Sequence, residues 1–235
     1  MRRVSRALLI ASAIAGCALA AGSAAAAIVV VRSVGPSATS YRAGSSLPDN
    51  ARVTLRPGDL MVVIGSNGTR TLRGPGTFPL AGAAATGRVA TTRRGRFGAL
   101  RTAGLVPRSP TLWHVDATQS GKFCLADAAN VMLWRPEAAQ AVALTIAAAG
   151  APPRTVQWPA GEATLAWPSD VPIRAGAGYE VNWAGAPEPT RLSFATLEQE
   201  PTDLATVAQA LIGEDCQNQL DLLIESAPSE DDGAE

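Results

Sequence analysis

The chain has 235 residues, of which 47% are apolar and 17% charged, and its 20 basic side chains balance 20 acidic ones. This composition fits a folded, soluble protein, and the length allows two small domains. With one histidine, and no second Cys or His within two to five positions of Cys124 or Cys216, zinc-ligand spacing is excluded.

Met1-Arg-Arg-Val-Ser-Arg6 is a positive leader, Ala7 to Ala21 is apolar, and Ser23-Ala-Ala-Ala-Ala27 offers several small-residue cleavage sites. Residues 1–27 therefore read as a secretory signal peptide cut between Ala24 and Ile28. The apolar run of about 15 residues is too short to span a membrane comfortably. Ile14-Ala-Gly-Cys17 resembles a bacterial lipobox, so the alternative is a lipoprotein anchored through Cys17. The mature protein is expected in the periplasm or secreted. Removal of the leader makes Cys124 and Cys216 the only thiols that can pair, and in an oxidising compartment such a pair points to a disulfide.

Residues 28–80 are organised around Gly58 to Phe78. Leu60 to Ile64 is β-branched and apolar, as a strand buried on both faces would be. Asn67-Gly68 tolerates positive φ and predicts a tight turn. Thr69 to Arg73 reads as the return strand, ended by Gly74-Pro75-Gly76. Val31 to Pro36, Leu55-Arg-Pro-Gly-Asp-Leu60, Asn67-Gly68-Thr69-Arg-Thr-Leu72 and Gly74-Pro-Gly76 together resemble the FecR-like β-domain. That resemblance implies an extracytoplasmic β-module. The cytoplasmic anti-sigma segment and transmembrane helix found in the family's regulators have no counterpart before Ile28, so sigma-factor control does not carry over.

Residues 81–110 read as an Arg/Gly-rich linker. Arg88, Arg93, Arg94, Arg96, Arg101 and Arg108 form a possible anion-binding set with no acid among them. The competing reading is a solvated loop facing the protein's own acidic half. Residues 28–110 carry 12 arginines against Asp49 and Asp59, for +10, whereas residues 111–235 carry five basic side chains against 18 acids, for −13. Nucleic acid is not an expected partner, because Phe97 alone provides no stacking platform.

From Thr111 short apolar runs recur: Leu112–Val115, Phe123–Leu125, Val131–Trp134, Val142–Ala148, Thr155–Trp158, Ala163–Trp167, Tyr179–Trp183 and Arg191–Leu197. Turn residues separate them every 8–12 positions, which predicts a β-sandwich over residues 111–200. His114 is expected to be a strand residue. Trp158, Trp167 and Trp183 either anchor the core or form a glycan-binding surface. Cys124 and Trp134 are similar to the first cysteine and buried tryptophan of an immunoglobulin domain, but Val181 occupies the place of the second cysteine.

Pro201 starts a helical pattern with Leu204, Val207, Ala208 and Leu211 on one face, and Gly213 ends it. Cys216, Leu220, Leu223 and Ile224 mark a second helix, so residues 201–226 form a helical pair pinned by Cys124–Cys216. Residues 227–235 read as an acidic disordered tail.

The expected fold is mainly β: a FecR-like β-domain, a β-sandwich and a short C-terminal helical pair. No nucleophile elbow, metalloprotease motif or phosphate loop is present. The expected function is therefore non-enzymatic: an exported envelope protein acting as a binding, scaffold or sensor module. Its expected partner is an envelope protein or a polysaccharide, with no cofactor, and with a membrane only if Cys17 is lipidated. The alternative is a secreted carbohydrate-active hydrolase with acidic catalytic residues.

Overall fold

In a computed structural model, residues 27–81, 109–186, 188–198 and 201–231 are described. They are mainly β, with two helices near the C-terminus.

The first six strands are β1 (Ala27–Val34), β2 (Ser46–Pro48), β3 (Arg52–Leu55), β4 (Leu60–Gly65), β5 (Gly68–Arg73) and β6 (Gly76–Pro79). β5, β4, β1 and β2 lie side by side, while β3 pairs with β6 as a separate two-stranded sheet. Successive side chains on a strand point to opposite faces, so β1 and β4 supply two cores at once. Ile28, Val30, Met61, Val63 and Leu72 face Val53, Leu55 and Leu80. Val29, Val31, Val62 and Ile64 face the other way, toward the helices. A strand run without polar alternation is what burial on both faces requires. The hairpin differs in detail from the sequence reading: Gly65 pairs with Gly68, so the loop is Ser66-Asn67. Only Gly68 takes positive φ there, at 137°.

Asp59 locks the entry to this sheet. Its carboxylate accepts the Ser37 N–H at 2.9 Å and also the Arg56 N–H. Gly35, at φ 107°, leaves room for that carboxylate, because a Cβ there would collide with it.

The second β unit contains β7 (Val115–Asp116), β8 (Gly121–Leu125), β9 (Met132–Trp134), β10 (Val142–Ala148), β11 (Arg154–Trp158), β12 (Thr164–Ala166), β13 (Gly178–Asn182) and β14 (Thr190–Thr196). One sheet runs β11-β10-β13-β14-β8 and the other β12-β9-β7. Between them lie Val115, Phe123, Leu133, Leu144, Ile146, Trp158, Val181, Leu192 and Phe194. This is the sandwich expected from the spacing of apolar runs. Its first strand is shorter than expected: Leu112 and Trp113 lie in a turn, and His114 precedes β7 rather than belonging to a strand. The Tyr179 hydroxyl donates to the Pro172 carbonyl and accepts the Arg174 N–H, both at 2.8 Å. That is the geometry of a tyrosine corner.

Helix α1 (Leu204–Gly213) starts three residues later than its sequence pattern, because Asp203 caps it. The Asp203 carboxylate accepts the Ala205 and Thr206 N–H groups, each at 3.1 Å. Glu214 and Asp215 follow, and Asp215 takes φ 59°, the one positive φ of a non-glycine among the described residues. α2 (Gln217–Ser226) then begins directly after Cys216. The final strand is β15 (Ser229–Asp231), which pairs in parallel with β5. Those three residues are ordered by strand pairing, where composition alone predicts a disordered tail.

α1 packs on β1 and β4, and α2 on β8. The shared cluster combines Val29, Val31, Val62 and Ile64 with Ala208, Leu211, Leu220 and Leu223, and also with Leu112, Cys124 and Ala195. The helices are therefore the common layer between the two β units.

Candidate functional site

The junction between α2 and the sandwich holds the densest set of buried polar and covalent contacts. Cys124 on β8 and Cys216 at the start of α2 form the expected disulfide, with Cα atoms 5.8 Å apart. One turn further on, Gln219 is 2% exposed. Its Oε1 accepts the Cys124 N–H at 2.6 Å, and its Nε2 donates to the carbonyls of Cys124 and Leu112, each at 2.9 Å. β8 is the last strand of its sheet, so Gln219 supplies the main-chain partners that a further strand would have given. A glutamine in a helix carries no periodic signal for such a role, and the sequence pattern passes over it.

Beside this junction lies a cleft of about 400 Å³. His114, Asp116 and Trp134 line it from the sandwich side, and Gln219, Asp221 and Glu225 from α2. Its charged lining is acidic, which favours cationic over anionic guests. Asp116 accepts the Thr118 N–H at 2.9 Å and the Thr118 hydroxyl at 2.6 Å, so it holds its own turn. Asp221 meets Arg32 of β1 at 2.7 Å in an exposed ion pair that ties α2 to the first β unit. His114 Nδ1 lies 2.5 Å from the Thr111 hydroxyl. Burial pushes the His114 pKa below its ordinary value, which keeps the ring neutral near pH 7. Among the described residues, no group of three or more His, Cys, Asp or Glu side chains is placed to hold a metal ion.

The tryptophans pack inward. Trp158 is fully buried, Trp134 is 5% exposed, and Val34 is the one exposed large hydrophobic among the described residues. Trp167 stacks edge-on against Tyr179 and Phe194, with ring centroids 5.3 Å apart in each case. Trp183 leans on Trp158 at 6.4 Å. The core-anchor role therefore accounts for these rings. Arg135, also buried, sits 4.8 Å over Trp158 and donates to the Gln140 and Pro159 carbonyls at 2.9 and 3.0 Å. Burial disfavours its charge, and these carbonyls with the ring face are its compensation. Neither Gln219 nor Arg135 is marked by a sequence motif.

Arg88, Arg93, Arg94, Arg96, Arg101 and Arg108 lie outside the described residues, as does Cys17. No family model, curated protein or solved structure matches the chain.

Proposed function

We propose that the protein is a non-enzymatic, exported binding or scaffold module of the cell envelope, with a FecR-like β-domain and an immunoglobulin-like sandwich. The supporting observation is the junction. A disulfide, a buried glutamine and a shared apolar layer hold two β units as one body, which suits presentation of a fixed surface rather than closure over a substrate. The disulfide fits an oxidising compartment, and residues 1–27 fit a signal for reaching it. The partner is an envelope protein or polysaccharide. Lipidation at Cys17 would place the same module on a membrane.

The test is capture by the mature protein from a periplasmic extract beside a panel of polysaccharides. One protein partner supports the scaffold reading. Retention by neither sinks it. A fusion of residues 1–40 to a periplasm-only reporter should be exported, with a mature N-terminus near Ala25 to Ile28; a diacylated Cys17 would show the lipoprotein instead.

A second reading, a carbohydrate-active hydrolase, draws on the three carboxylates in one cleft. Asp221 is engaged by Arg32 and Asp116 by its own turn, which weakens it. Glycan turnover that disappears in Asp116→Asn would favour this reading.

A further inference from the structure

We propose that the edge of β5 is a strand-docking site for an extended protein segment, occupied here by the chain's own C-terminal tail. This rests on the binding-module reading above and narrows the partner to a peptide taken up through main-chain hydrogen bonds.

The edges of β8 and β5 are closed in different ways. At β8 the cover is built into the core: Gln219 is buried, and Cys216 ties its helix covalently to Cys124. At β5 the cover is three residues long, with Ser229 opposite Thr69, Glu230 opposite Arg70 and Asp231 opposite Thr71. No covalent link holds it, and it follows α2 after only Ala227 and Pro228. Such a short strand is easily exchanged, and the edge beneath it offers unpaired main-chain groups once it leaves.

The seat is shaped for a crossing main chain. The Pro228 carbonyl accepts the Thr69 N–H at 2.7 Å and the Thr69 hydroxyl at 3.2 Å. Gly68, at φ 137°, lies directly beneath, and a Cβ at that position would run into the same carbonyl. Any side chain at position 68 would therefore close the seat. Charge sets the kind of segment that fits. Residues 28–81 carry six arginines against two aspartates, whereas the tail sequence from Glu230 onward is acidic. The partner is thus an extended, acidic segment, and the tail acts as its built-in competitor.

The test uses the full-length chain. Ser229→Pro combined with Glu230→Pro removes the Glu230 N–H, which faces β5 in the parallel ladder, stiffens the tail and leaves β5 untouched. A fluorescent peptide spanning residues 226–235 should bind this variant at least about tenfold more tightly than wild type, because the internal competitor no longer fills the seat. Adding Gly68→Val should abolish binding. That substitution also strains a positive-φ position, so amide exchange at Thr69 provides a second readout. It should accelerate in the double-proline variant and slow again with saturating peptide. Equal peptide affinity for both chains, or Thr69 exchange that peptide does not slow, overturns the proposal. An envelope partner captured equally by both chains also overturns it, while leaving the binding-module reading in place.

Discussion

Gln219 shows how much one side chain can carry. Gln219→Ala would leave the Cys124 N–H and two carbonyls buried without partners. At about 1–3 kcal/mol per orphaned group, and with partial relaxation, the expected loss is about 2–4 kcal/mol. Urea unfolding under non-reducing conditions measures it. Asp59 and His114 make stability depend on pH in separate windows. Burial opposes ionisation of Asp59, but the Ser37 and Arg56 hydrogen bonds and the Arg56 charge outweigh it and hold the carboxyl below its ordinary value. Its contribution is present above about pH 4 and is lost as pH falls through the lower folded value. His114 is also lowered, by burial, so the unfolded chain takes up its proton first. Stability should fall as pH drops below about 6.5, until the folded value is passed. Melting curves between pH 2 and 8 should show Asp59→Asn flattening the acid limb and His114→Gln the middle one.

At the scale of elements, the helices are held from two sides. The disulfide closes a separation of 92 residues and should be worth about 2–4 kcal/mol. Cys216→Ser should therefore lower the melting temperature and speed proteolysis of 201–231. Because α1 covers β1 and β4 and β15 pairs with β5, protection of the β4–β5 hairpin should fall in parallel. Hydrogen exchange that leaves the hairpin fully protected in this variant would contradict that coupling.

For the whole molecule, the decisive feature is the shared apolar layer. Val29, Val31, Val62 and Ile64 are buried only because the helices lie over them. Residues 27–81 expressed alone should show little amide protection, and the full chain should unfold in one cooperative transition under non-reducing conditions. A protected, folded 27–81 fragment would refute the account. The Arg32–Asp221 pair joins β1 to α2 beside this layer, but both side chains are about half exposed, so it adds little.

Strand positions were legible from sequence because apolar runs and turn residues act locally. Val142–Ala148 matches β10 residue for residue, and the neighbouring runs match their strands within one or two positions. The pairing of Cys124 with Cys216 was legible too, since reading residues 1–27 as a leader leaves no third cysteine to compete. The faces of α1 and α2 followed from helical spacing. What covers each face was not legible, because periodicity records which side chains avoid water and not which element excludes it. So the tertiary structure alone decided that the helices serve both β units. It alone gave Gln219 a strand's role, since a helical amide acquires that function only from the edge beside it. It also ordered Ser229–Asp231: an acidic sequence has no core of its own, and pairing with β5 holds it in place.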